Sequence, residues 1–111
     1  MAVKETIEGL LNRINESPEG ISGVNVTYQF NLSGEEAGVY QLKFAEQTGK
    51  LIEGENEKAN CTLKLSDKNF LKLINGTLNP TTAFMMGKVK IEGDLGLAMK
   101  LQSILGKYQS A

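Results

Sequence analysis

At 111 residues with a formal net charge of −1, the chain has the length of one domain with a single hydrophobic core and lacks the basic excess that nucleic-acid binding needs. It has no histidine and one cysteine, which removes His-activated nucleophiles and Cys/His zinc sites. No apolar run approaches the roughly 20 residues of a membrane span, so no stable membrane insertion is expected.

Val3, Ile7, Leu10, Leu11 and Ile14 recur at helical spacing, with Lys4, Glu5, Glu8 and Arg13 elsewhere on the wheel, and predict an amphipathic helix ending near Asn15. The acids within this N-terminal stretch break the apolar run that a secretory signal needs. Ser17-Pro18 ends the helix and residues 20–23 read as loop. Val24, Val26, Tyr28, Phe30 and Leu32 then alternate with Asn25, Thr27, Gln29 and Asn31, which predicts a strand with one wet face. Residues 33–36 turn the chain, and Tyr40, Leu42 and Phe44 resume the alternation. A turn at residues 47–49 leads to a strand over 50–55, and a polar turn at 56–60 leads to another over 61–65. These four strands are expected to form an antiparallel meander. Cys61 alternates with Leu63 and Leu65 and is expected to point inward as a small hydrophobe.

Ser66 or Asp67 can cap a helix whose apolar face is Phe70, Leu71, Leu73 and Ile74, ending at Gly76. Asn79-Pro80 starts a second, short helix ending at Gly87. Residues 88–92 alternate as a fifth strand with Val89 and Ile91 inward, and Asp94 caps a final helix reaching Tyr108. The order predicts an α+β fold: one domain over residues 1–111, a five-stranded, mostly antiparallel sheet with helices packed on one face.

The final helix carries more apolar surface than a sheet alone would cover. Leu97, Ala98, Leu101, Ile104, Leu105 and Tyr108 form one stripe, while Leu95 and Met99 share a second strip with Gln102 and Gly106. That strip must meet a helix, a partner chain or a ligand, the short preceding helix being the plainest cover. Gln102 would give an apolar pocket there one neutral hydrogen-bonding group. Phe84-Met85-Met86 is a second excess, since three large side chains in succession cannot all face one core from a single turn. Glu35-Glu36 and Glu53/Glu55 sit at turns and read as solvated surface. Residues 93–96, G-D-L-G, lack dinucleotide-binding spacing. No catalytic group, metal or cofactor is expected.

Two blocks carry a family resemblance: D-x-x-F-x-x-L-x-x-G-x-x-x-P from Asp67 to Pro80, then A-F-M-M-G-K-V-K-I-E-G-D followed by L-G-L-A-M-K-L-Q, ending at Gln102. They resemble the sterol carrier protein type 2 family, and the similarity extends over essentially the whole chain. The resemblance implies a hydrophobic tunnel between sheet and helices that accepts a fatty acid, a fatty acyl-CoA, a sterol or another lipid. It places Phe84, Met85, Ile91, Leu95, Met99 and Gln102 near that cavity, with Phe70 and Ile74 behind it. The final residues Q-S-A are not a peroxisomal address, and a free-standing, cytoplasmic, prokaryotic version is expected.

The leading expectation is non-catalytic lipid binding and transfer, with the final helix and its glycines Gly93, Gly96 and Gly106 as hinge and lid. The alternative is an interaction module that docks an enzyme of lipid or quinone synthesis through the same apolar surface, or that forms a homodimer there.

Overall fold

A computed structural model describes residues 2–108; the C-terminal Q-S-A tail lies outside the described residues. Helix α1 (Ala2–Glu16) buries Val3, Ile7, Leu10, Leu11 and Ile14, the face its spacing predicts. A 3₁₀ turn (Pro18–Ile21) occupies part of the expected loop and buries Ile21. Strands β1 (Val26–Ser33), β2 (Gly38–Ala45), β3 (Thr48–Glu53) and β4 (Cys61–Ser66) precede helices α2 (Asp67–Ile74) and α3 (Pro80–Met85). Strand β5 (Lys90–Gly93) and helix α4 (Leu95–Lys107) complete the fold.

The sheet order is β3-β2-β1-β4-β5. β1 pairs antiparallel with β2, β2 with β3 and β4 with β5, whereas β1 and β4 run parallel. The expected four-strand meander is therefore corrected: β4 leaves the outer edge of the hairpins and lands beyond β1. That step crosses about three interstrand spacings, ~14 Å, within the reach of the seven-residue segment 54–60. A second correction concerns β3, which begins at Thr48 because the chain reverses in two residues. Glu46 and Gln47 both take left-handed backbone angles, φ 53° and 56°, as in a type I′ hairpin.

The crossing segment also changes the outer face of the sheet. Thr27 and Gln29, expected to be wet, are buried, and Gln41 is fully so. Gln41 Nε2 donates to Gln29 Oε1 at 2.9 Å and to the Glu57 carbonyl at 2.7 Å, while Glu57 N–H donates to Gln41 Oε1 at 3.1 Å. Gln29 Nε2 donates in turn to Glu55 Oε1 at 3.0 Å. Side-chain amides thus bolt the strap to the sheet, and no buried side-chain polar atom among the described residues lacks a partner.

All helices pack on the opposite face, where the core lies. Tyr28, Phe30, Leu42, Phe44 and Leu63 project from the sheet and are fully buried. Phe30 meets Phe70 of α2 edge-on with ring centroids 5.0 Å apart, and Tyr28 meets Phe44 in the same manner at 6.0 Å. Cys61 is buried as expected.

Candidate functional site

Three caps set the helices around the candidate site. Ser66 accepts from Asn69 N–H, Asn79 from Thr81 and Thr82 N–H, and Asp94 from Gly96 N–H. The first resolves the sequence alternatives: Ser66 is the cap, and Asp67 sits inside the helix. The Asp67 carboxylate instead accepts from Glu36 N–H at 2.9 Å and from Lys68 N–H at 2.8 Å, tying the β1–β2 turn to α2. The Glu36 bond, more than the Lys68 bond or charge, lowers its pKa against the opposing effect of burial.

Helix α4 is fastened near both ends. Tyr28 Oη donates to the Leu97 carbonyl at 2.6 Å. Tyr108 Oη donates to the Ser17 carbonyl at 2.5 Å and accepts from Gly20 N–H at 2.9 Å. Arg13 Nε donates to the Tyr108 carbonyl at 2.6 Å. Gly93 takes φ +102°, and a Cβ there would stand 2.7 Å from the Asn60 carbonyl oxygen, so a close backbone approach requires this glycine. These ties argue against α4 as the moving lid.

Helix α3 is held far more lightly. It buries only Pro80 and Ala83, and its main packing partner is α4. It ends at Met86, where Lys88 N–H returns to the Ala83 carbonyl at 2.8 Å across Gly87, φ +76°. A side-chain bond to α4 runs from the Thr81 hydroxyl to Gln102 Oε1, 3.1 Å. Gln102 Nε2 has no partner among the described residues.

The residues predicted for a lipid site fall into three sets. Phe70 and Ile74 are buried in the core beneath α2, and Ile91 and Gln102 are half-buried. Phe84, Met85, Leu95 and Met99 are exposed by 41%, 80%, 50% and 62%, respectively. Met86, at 61%, belongs with them. The expected cover of the α4 strip by α3 is thus partial: Thr81 reaches Gln102, while Leu95 and Met99 remain open. Gln102 lines a groove of about 180 Å³ with Leu73, Leu78, Pro80 and Leu105. Leu73 and Leu105 were legible only as core, and nothing local in the sequence joins Thr81 to residue 102. Between sheet and helices, where the resemblance puts a tunnel, Tyr28, Phe30, Phe44, Phe70, Ile74 and Leu101 are packed with at most 1% exposure.

Near β4, the Cys61 thiol has its pKa pushed up to about 11, by burial first and by the Asp94 charge second. The Tyr28 hydroxyl is raised as well, chiefly by burial. Both groups stay neutral, and this pair offers no nucleophile. Among the described residues no cluster of His, Cys, Asp or Glu could hold a metal, and no helix is long and apolar enough to cross a membrane.

The family model described as "SCP-2 sterol transfer family" matches residues 7–106. The chain belongs to that family. A solved SCP-2 structure, the sterol carrier protein domain 2 of Helicoverpa armigera, is 32% identical and superposes with a TM-score of 0.76, covering 95% of this chain and 85% of its own. The fold recurs in the Aedes aegypti sterol carrier protein-2 complex with palmitate, 17% identical with a TM-score of 0.70, covering 94% of this chain and 97% of that one. "Hydroxysteroid dehydrogenase-like protein 2" of Xenopus laevis is 40% identical over 109 residues, which is 97% of this chain and 26% of the relative. The chain therefore spans about a quarter of the length of that relative. The five-stranded α+β architecture predicted from the sequence is the SCP-2 fold.

Proposed function

We propose that this SCP-2 chain binds a fatty acid, fatty acyl-CoA or similar lipid at the junction of α3 and α4 and transfers it without catalysing a reaction on it. The observation that carries the reading is the open apolar strip, Phe84, Met85, Leu95 and Met99, beside the half-buried amide of Gln102. Such a surface suits a long apolar chain with one polar end. Family membership supports the same class of ligand.

Entry requires the lightly held element to move. Parting α3 from α4 breaks the Thr81–Gln102 bond and opens the way past Leu73 and Leu105 toward Phe70, Ile74 and Ile91. Gln102 Nε2 is available to donate to the ligand's polar end, and parting the helices frees Gln102 Oε1 to turn with it. Each methylene moved from water to an apolar surround gains about 0.8 kcal/mol, so burying about eight of them contributes roughly 6 kcal/mol before ordering costs.

The test is titration with palmitate, using displacement of a fluorescent fatty acid. The wild type should bind one equivalent. Met99→Glu should weaken binding at least tenfold (about 1.4 kcal/mol) with an unchanged circular dichroism spectrum, because Met99 is exposed. Unchanged affinity in that variant would remove Met99 from the site.

A second reading is that the module presents lipid to an enzyme, either on a partner or on another domain. It is favoured by the relative in which the matching region is about a quarter of the protein. Both readings use one pocket and differ in what receives the cargo.

A further inference from the structure

Helix α4 carries an unpartnered face with a definite layout. At about 100° per residue, Leu95, Met99, Gln102 and Gly106 form one strip, Gly96 and Ser103 lie beside it, and Lys100 and Lys107 form the next row round. All are exposed except the half-buried Gln102. The strip runs along the helix for roughly 16 Å, about three turns. α3 stands on the side away from the lysines, where Thr81 reaches Gln102 and Pro80 shares a groove with Gln102, Leu105 and Gly106. Phe84 and Met85 of α3 are exposed and add to the apolar surface there.

The face is a trough with an apolar wall and a cationic rim. Leu95 and Met99 rise from its floor at one end. At the other end a Cβ on Gly106 would meet nothing within 4 Å, and Ser103 is small, so the backbone of another helix can approach closely. The rim has one sign. No acid occurs in α3 or between Leu95 and Lys107 of α4, and neither Lys100 nor Lys107 forms an ion pair with a described residue. Asp94 sits at the helix start with its carboxylate turned to Gly96 N–H at 2.8 Å. A second copy fits this rim poorly. Joining two such strips about a two-fold axis runs the helices antiparallel and sets the lysine rows of both copies along one edge. Like charges there oppose the contact, whereas carboxylates would relieve the rim.

We infer that the α4 trough docks an amphipathic helix with an acidic flank, supplied by a protein partner. Apolar side chains on successive turns of that helix seat on Leu95, on Met99 and in the space over Gly106. Carboxylates along one edge meet Lys100 and Lys107. This is recognition of a helix in a groove, in which apolar anchors supply the affinity and the charged rim selects the partner and its orientation. Docking does not rest on the lipid-carrier reading, but its consequence does. A helix lying over Leu95 and Met99 closes the entry between α3 and α4, so partner and lipid exclude one another at this site.

Fluorescence anisotropy with two labelled synthetic helices of about 18 residues tests the proposal. Both peptides carry leucines at i, i+3, i+4 and i+7 spacing; one has glutamates at the remaining positions and the other has lysines. The glutamate peptide should bind the ligand-free chain, less tightly as salt is added, and the lysine peptide should not bind. Lys100→Gln with Lys107→Gln should weaken binding about fivefold. Lys50→Gln with Lys58→Gln, exposed lysines elsewhere on the fold, should leave it unchanged. Ser103→Glu places a carboxylate in the trough and should weaken binding about tenfold. Its circular dichroism spectrum should be unchanged, because Ser103 is exposed. Equal binding of the two peptides, no binding of the glutamate peptide, or indifference to Ser103→Glu would overturn the inference. So would a dimer in peptide-free solution that Ser103→Glu dissolves, which would assign the trough to a second copy. Palmitate titration without peptide reads the carrier function separately, so either claim can fail alone.

Discussion

Asp67 has two backbone N–H donors, and its depressed pKa has a defined consequence for stability. A carboxyl whose folded pKa lies below its unfolded value, about 3.9, stabilises the fold fully above that value and loses the contribution as pH falls through the folded pKa. Asp67→Asn should therefore flatten the acid limb of stability in urea unfolding followed against pH, with the largest difference above the unfolded pKa. Gln41 offers a pH-independent counterpart. Truncation to Ala strands the Glu57 N–H and Gln29 Oε1 under the crossing strap and should cost about 1–3 kcal/mol in urea unfolding. Neither role was readable from the residues alone. Ser66, Asn79 and Asp94 were legible as helix starts because a cap acts over two or three residues. Thr27 and Gln29 read as wet because alternation identifies opposite faces of a strand but not what later crosses one of them. Cys61 was legible as inward. Its burial and raised pKa predict slow labelling by a thiol reagent in the folded chain and rapid labelling in urea.

Among elements, the contrast between α3 and α4 governs how the site can open. α4 is tied to the sheet through Leu97 and to the 3₁₀ turn through Tyr108, whereas α3 rests two small side chains on the core. Amide hydrogen exchange should be much faster across residues 83–86 than across 101–105 of α4, with the difference reduced by bound palmitate. Tyr108→Phe removes the acceptor of Gly20 N–H and the donor to Ser17 and should destabilise the chain by about 1–3 kcal/mol. Element type and extent were largely legible, because each element carries its own period and punctuation. Strand neighbours were not. Short polar links between alternating segments favour hairpins, and only the 54–60 segment departs from that pattern, by carrying the chain over the sheet instead of around its edge. The role of Gly93 was hidden for a similar reason: it answers a steric demand from Asn60, a contact between distant segments.

At the scale of the molecule, one sheet covered on one face by helices leaves, among the described residues, exposed large apolar side chains gathered where α3 meets α4. The Gln102 amide and the open Leu95–Met99 strip both lie there. That excess was visible in the sequence as Phe84-Met85-Met86 and as a second stripe on the last helix, although Thr81 and the leucines of the groove were hidden within ordinary core patterns. The most direct measurement is native mass spectrometry of the chain as purified from cells, followed by organic extraction of whatever is released. A single lipid at near one-to-one occupancy, displaced by added palmitate, is the expected result. An empty monomer that also refuses added fatty acids and acyl-CoAs would contradict lipid carriage and leave the α3–α4 surface to a protein partner.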